Sequence, residues 1–414
     1  MSIIKPFKGL RPLSEKAAKV ASPPYDVLNS QEARKMAEGN PLSFLHINKP
    51  EIDLDPGIDV YSEDVYNKGA ENLQKFIKDG ILQQDEKECF YIYRQIMGEH
   101  QQYGLVALAS VDEYDSDKIK KHEFTRPEKE DDRVQHMDHL NAQVGPVFLT
   151  YKAHPSMDKI VERISKQKPE IDFIAIDEIQ HTVWVINEDE DIRRIIKVFE
   201  SFDCLYVADG HHRSAAASRI CKMRKDKNSN HTGNESYNYF LNVIFPDNQM
   251  YIMDYNRVVK DLNGLNSKEF LGKIAENFEI KKLGPAGFKP MEKNSIVMYL
   301  DKQWYLLLAN EGSFNHKDPV ASLDVSILQD NLLAPVLGIG DPRKDKRIDF
   351  VGGIRGLEGL QDRVDSGEMA VAFALFPTSI EDLMKIADAG KVMPPKSTWF
   401  EPKLRSGLFV HLLD

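Results

Sequence analysis

Between Leu205 and Ala217 the chain reads Leu-Tyr-Val-Ala-Asp-Gly-His-His-Arg-Ser-Ala-Ala-Ala. This stretch restricts the fold more than any other. Leu205 to Ala208 have the apolar character of a short buried strand. Gly210 permits a tight turn, and Ala215 to Ala217 favour a helix while leaving space above its first turn. A strand–turn–helix junction converges backbone N–H groups and the positive end of a helix dipole on one point. Arg213 adds a planar fork that matches phosphate oxygens. Asp209 offers a hard oxygen ligand for Mg²⁺. The segment therefore predicts an α/β protein with a phosphate site built from Gly210, His211, Arg213 and Ser214. The competing reading is a charged turn in which Asp209 caps the helix and the histidines are solvated. Capping alone does not account for His-His-Arg at a helix start.

The chain has 414 residues, which predicts two or three domains or subdomains. Its net charge of -11 argues against broad binding to nucleic acid, which needs basic surface. Three cysteines, Cys89, Cys204 and Cys221, are too few and too scattered for a disulfide framework or a zinc site of cysteines. Cys204 and Cys221 are expected to be buried small hydrophobes. The opening Met1-Ser2-Ile3-Ile4-Lys5-Pro6 lacks a signal-peptide core, and no run reaches the roughly 20 apolar residues of a membrane span. A cytoplasmic protein without membrane contact is expected. Homo-oligomerisation stays open.

Periodicity predicts helices from Asn29 or Ser30 to Glu38, from Asp64 to Lys78, from Glu188 to Phe202, from Ser267 to Asn277 and from Ser379 to Ala389. An apolar helix over Val325–Leu337 is interrupted at Pro335. Strands are expected at Ser43–Ile47, Pro146–Tyr151, Asp172–Ile176, Thr182–Ile186 and Met369–Phe376. Three hairpins are expected: Cys89–Ile96 with Tyr103–Ser110, Tyr239–Phe245 with Met250–Asp254, and Ser295–Leu300 with Trp304–Ala309. The domain expectation is 1–115, 116–260 and 261–414. The fold expectation is α/β (α+β), with mixed sheets and flanking helices.

Further constellations carry possible chemistry. Lys121-His122-Glu123-Phe124-Thr125-Arg126 is followed by Asp131-Asp132-Arg133 and His136. Glu123 can serve as a general base on a hydroxyl with His122 near it, and Arg126 and Arg133 can hold a phosphate or carboxylate. The competing reading is a solvated, salt-bridged loop and helix start. His136 and His139 have helical metal-ligand spacing but lack a third ligand. Gly352-Gly353-Ile354-Arg355-Gly356-Leu357-Glu358-Gly359 fits neither a dinucleotide fingerprint nor a P-loop and reads as a structural turn, against the reading of phosphate or substrate closure. In the tail Met393–Gly407, Lys396, Ser397 and Thr398 can line an anionic pocket, against the reading of a packed Pro/Trp loop. No G-x-S-x-G elbow is present.

Several of these blocks, in this order, resemble the bacterial and archaeal family known as domain of unknown function 1015. The landmarks are Pro6-Phe7-Lys8-Gly9-Leu10-Arg11-Pro12, Ser22-Pro23-Pro24-Tyr25-Asp26-Val27, Asn40-Pro41 with Ser43-Phe44-Leu45-His46, His122-Glu123 with Thr125, Asp209-Gly210-His211-His212-Arg213, and Met393-Pro394-Pro395-Lys396-Ser397-Thr398 with Phe400. The Asp-Gly-His-His-Arg block alone is similar to the motif of free serine kinases in the ParB/sulfiredoxin-like superfamily. That resemblance implies a ParB/sulfiredoxin-like core around the turn, with the acidic residue near metal and the His/Arg residues near nucleotide phosphates. It also implies a catalytic glutamate upstream, for which Glu123 is the candidate. Sulfiredoxin chemistry is disfavoured because histidines stand where it needs a cysteine.

The resulting expectation is phosphoryl transfer between a nucleotide, ADP or ATP, and a small hydroxy amino acid, serine or phosphoserine. Glu123, Asp209 and His212 form the expected catalytic set. Gly210, His211, Arg213 and Ser214 hold phosphate. His122, Arg126, Arg133 and Lys396 bind substrate, and Asp209 holds Mg²⁺. The alternatives are a nucleotide-binding regulator related to ParB and a phosphoserine phosphatase-like hydrolase.

Overall fold

The computed structural model describes residues 1–413. The chain divides into two compact units, one formed by Met1–Met250 together with the tail from Pro402, the other by Tyr251–Glu401. This differs from the three-part division read from the sequence. The division at 115/116 falls inside the first unit, because strands on both sides of it share one sheet. The division at 260/261 lies beyond Met250, and the tail separates from 261–401 to rejoin the first unit. Composition does not report such long-range pairing. Both units mix helices and sheets, as the α/β (α+β) expectation requires.

The first unit is built on a nine-stranded mixed sheet. Its strands run in the order Ile119–Lys120, Leu205–Asp209, Val147–Tyr151, Tyr239–Pro246, His100–Ser110, Phe90–Met97, Gln180–Ile186 and Ile171–Ile174, with Ile4–Lys5 also paired to His100–Ser110. Phe90–Met97 and His100–Ser110 form the expected hairpin, with Gly98 at φ 57 in the turn. Ile195 and Phe199 of the helix Asp189–Phe199 are fully buried in the core with Phe90 and Ile92. Burial of such a side chain contributes about 1.5–3 kcal/mol. The helices Pro127–Leu140 and His211–Lys227 lie side by side, joined by Arg219 to Glu130 and Asp131 at 3.1 and 2.6 Å.

A smaller core holds Val20, Phe44, Ile47, Leu73, Phe76, Leu140 and Val410 together. The expected helix at Ser30 spans Ser30–Ala37, with Asn29 and Glu32 in a reciprocal cap. The expected strand Ser43–Ile47 is instead a helical turn, Leu45–Asn48. Ser43 Oγ accepts from Leu45 N–H at 3.3 Å, and Asn48 N–H bonds to Phe44 O at 2.9 Å. A short apolar run is compatible with either state, and here local capping decides it.

The second unit carries a six-stranded sheet, antiparallel throughout. Its order is Phe278–Gly284, Gln303–Ala309, Ser295–Leu300, Val371–Leu375, Tyr255–Val259 and Ile348–Gly352. Val258, Val297, Tyr299, Trp304, Leu360 and Ala372 form its core. Tyr251–Met253 pairs with Trp399–Glu401, so it does not make the expected hairpin with Tyr239–Pro246. That strand is already flanked on both edges by Val147–Tyr151 and His100–Ser110. The glycine-rich segment is a packed turn between the strand Ile348–Gly352 and the helix Gly356–Asp365. A Cβ at Gly353 would lie 2.4 Å from Asp254 Oδ1, so this turn has no room for a ligand at that face.

Candidate functional site

The strand Leu205–Asp209 passes through Gly210 into the helix His211–Lys227, as the sequence predicts. Gly210 has φ 97, a left-handed conformation that suits glycine. A Cβ there would also stand 3.1 Å from the Arg213 guanidinium. Arg213 is buried, folds back over Gly210 and donates to Pro146 O.

Parallel pairing explains how the second constellation reaches this turn. Ile119 and Lys120 pair in register with Leu205 and Tyr206. Both strands then run in the same direction, so His122 and Glu123 emerge beside Ala208 and Asp209. His122 Nε2 lies 3.4 Å from His211 Nε2, with the rings edge to face at 86°. Both histidines are buried, at 1% and 4% exposure. Burial pushes the His122 imidazole down to about 4 and that of His211 well below its ordinary value, so both are neutral at pH 7. The Val207 backbone and the Asp209 charge oppose the shift at His122 without reversing it. Neither His211 Nδ1 nor His122 Nδ1 has a well-aligned hydrogen-bond partner. Ligand-type atoms of His122, Glu123 and His211 all lie within 4.8 Å of one another.

Asp209 has a different setting from the one expected. Its Oδ1 accepts from Gly210 N–H at 2.8 Å, and its Oδ2 accepts from Lys403 Nζ at 3.1 Å. Burial raises the carboxyl, but the Lys403 ammonium and Arg213 guanidinium outweigh it and hold the group well below the usual carboxylate range. Mg²⁺ at Asp209 does not fit these residues. Both oxygens are engaged, and an entering dication would meet two cationic side chains.

Arg213 and Arg133 line one narrow cleft, with Tyr25, Asn48, Gln143 and Gly145 among its walls. The Arg133 guanidinium stacks 3.8 Å from the Tyr25 ring centre and donates to Asp132. Burial raises the Tyr25 hydroxyl to about 12, with the two guanidinium charges opposing it. The Nδ2 of buried Asn48 has no hydrogen-bond partner. Two guanidinium groups and an unpartnered amide form a set of donors suited to a planar or tetrahedral oxyanion.

The other expected residues are distributed around this centre. His212 Nε2 accepts from the Arg126 backbone N–H at 3.1 Å, so that nitrogen is committed to holding the start of the helix Pro127–Leu140. Arg126 itself extends into solvent. His122 faces His211 inside the protein, so it presents no free surface to a substrate. Ser214 Oγ donates back to Gly210 O at 3.2 Å. Lys396 belongs to the second unit, where its ammonium lies 5.5 Å from the Tyr255 ring centre and its carbonyl accepts from Arg257. His136 and His139 bond to the carbonyls of Ile47 and Gln135, so the spaced pair is no metal site. Cys89 and Cys221 are buried and free, whereas Cys204 is half-buried.

Sequence reasoning misses Lys403, Tyr25 and Asn48. Lys403 stands in the same tail as Lys396, two residues from Arg405, but outside the Lys-Ser-Thr run that draws attention there. Tyr25 stands in the Pro-Pro-Tyr-Asp block. Nothing in the sequence marks Asn48.

The model of the family described as "Protein of unknown function (DUF1015)" matches residues 4–326. The chain belongs to this family. No curated protein matches it. Three of the solved structures similar to this DUF1015 member are as follows. A free serine kinase in complex with AMP shares 14% identity, covering 71% of this chain and 86% of that one, with a TM-score of 0.36. A conserved hypothetical protein from Pyrococcus furiosus shares 15% identity over 74% and 95%, at 0.37. SbnI with a C-terminal truncation, from Staphylococcus aureus, shares 13% identity over 74% and 87%, at 0.38. No helix among the described residues of this family member is long and apolar enough to cross a membrane.

Proposed function

We propose that the protein moves a phosphoryl group between a nucleotide, ADP or ATP, and a small hydroxy amino acid, serine or phosphoserine. One observation carries the reading: Arg133 and Arg213, 80 positions apart in sequence by their numbers, line a single cleft that also holds the unpartnered Asn48 amide. Phosphoryl transfer is mainly positioning and charge stabilisation, which such donors supply.

In the forward direction the serine Oγ forms a bond to the terminal phosphorus while the bridging P–O bond of the nucleotide breaks. The hydroxyl proton goes to Glu123, the half-buried carboxylate next to the turn. Arg213 and the N–H groups at the start of the helix stabilise the phosphoryl oxygens, and Arg133 takes the amino-acid carboxylate or a second phosphate. His212 acts as a positioning residue through Arg126 N–H. Asp209 fixes Lys403 and Arg213 by charge, and no ion is assigned to it.

The test is phosphorus NMR of the full chain with serine or phosphoserine and each of ADP, ATP and pyrophosphate. Transfer that is lost in Arg213→Ala supports the reading. Release of inorganic phosphate from phosphoserine without nucleotide replaces it with the hydrolase reading. Nucleotide binding without turnover replaces it with a regulator.

A further inference from the structure

We propose that His122, Glu123 and His211 form a binding site for one divalent transition-metal ion of the zinc class. The inference shares Glu123 with the phosphotransfer reading, where that carboxylate accepts the serine proton, and its test reads ion binding and not turnover, so that the failure of one is distinguishable from the failure of the other.

The spacing is the first argument. His122 Nε2 and His211 Nε2 face each other at 3.4 Å. Two imidazole nitrogens bound at about 2.0–2.1 Å to a tetrahedral ion sit about 3.3–3.4 Å apart by simple trigonometry. The same separation is long for a hydrogen bond, whose N–H donors prefer about 2.9–3.0 Å. The pair is therefore spaced as two ligands more closely than as donor and acceptor.

A neutral imidazole has one N–H and one lone pair. The two Nδ1 atoms face no well-aligned partner whether the Nε2 atoms bond to each other or to an ion, so hydrogen bonding does not separate the two arrangements and the Nε2–Nε2 spacing is what favours the ion.

The third ligand is a carboxylate. Glu123 follows His122 directly and brings an oxygen into the same 4.8 Å cluster. Two imidazoles and one carboxylate suit zinc, cobalt, manganese or iron, while Mg²⁺ and Ca²⁺ favour all-oxygen shells. Three protein ligands leave a position for an oxygen of water or of an anion.

The experiment is a titration of chelator-treated full-length protein with Co²⁺, followed by the visible absorption of the bound ion. One Co²⁺ per chain is expected, displaced by one Zn²⁺. His122→Ala and His211→Ala should each weaken Co²⁺ binding by at least about 10-fold, as should Glu123→Gln. His139→Ala, which alters a half-buried histidine outside the cluster, should bind as the parent does. Circular dichroism confirms that each variant is folded, and the parent titration needs no variant. Absence of stoichiometric Co²⁺ binding by the parent protein overturns the proposal. So does binding that persists at full affinity in folded His122→Ala and His211→Ala.

Discussion

Lys403 Nζ meets Asp209 Oδ2 at 3.1 Å across 194 positions of sequence. The tail from Pro402 thus supplies the charge that balances the acidic residue of the Asp-Gly-His-His-Arg turn. The same tail is held in place by Gln95, which donates to Lys403 O at 2.9 Å, and by Arg405, which bonds to His181 and Asp177.

Lys403→Met should destabilise the protein by about 1 kcal/mol at pH 7, within the range of partly exposed ion pairs. The folded-state pKa of Asp209 is depressed, so its contribution is present above the unfolded carboxylate value and is lost as pH falls below it. Parent and variant share the unfolded state, so their difference should shrink only as pH falls through the depressed folded-state carboxyl, well below about pH 4. Urea unfolding at pH 7 and pH 2 measures it. An equal difference at both values removes the ion pair from the account.

Gly210→Ala should cost about 1–2 kcal/mol, because an L-residue at φ 97 is strained. The added Cβ also pushes on the Arg213 guanidinium. A thermal unfolding midpoint unchanged from the parent contradicts this, and anion affinity should fall together with stability.

Arg213→Lys replaces a planar fork with a point charge. Hydrogen bonds to charged groups are worth about 1.5–3 kcal/mol, so affinity for phosphate or nucleotide should drop about 10- to 100-fold. Arg133→Ala should give a loss of similar size. Isothermal titration of both variants checks whether the two guanidinium groups serve one ligand. If only one variant loses affinity, the shared cleft is not the binding site.

In the second unit, Asp324 is buried, with Oδ1 accepting from Asn294 N–H at 2.6 Å and Oδ2 unpartnered. Burial raises its carboxyl to about 7, against the opposing Asn294 bond and Lys293 charge. A folded pKa above the unfolded one means that the contribution is full below about pH 4 and is lost as pH rises through 7. Asp324→Asn should therefore gain stability over the parent at pH 8. The gain is about 1.4 kcal/mol for each tenfold difference in proton affinity between the folded and unfolded carboxyl, and it should nearly vanish at pH 4. Unfolding midpoints at the two pH values decide it, and an equal effect at both sinks the assignment.

Much of the first unit is legible in the sequence because its signals are local. Asn29 and Glu32 cap a helix within four residues, Gly98 closes a hairpin, and Gly210 joins strand to helix. The run Ser43–Ile47 misleads because periodicity in five residues does not separate strand from helix. Asp209 reads as a magnesium ligand because its neighbours in sequence resemble a phosphate motif, whereas its neighbours in space are Lys403 and Arg213.

By itself the sequence determined the family, from blocks spread along the chain, and the strand–glycine–helix junction with an arginine at the helix start. That junction depends on residues adjacent in the chain, where propensity and backbone freedom act directly. The tertiary structure alone decided which distant residues share that junction. Parallel pairing of Ile119–Lys120 with Leu205–Tyr206 brings His122 and Glu123 to His211, and the returning tail brings Lys403 to Asp209. Strand register and tail docking follow from the summed burial of whole faces, a quantity that no short window of sequence contains.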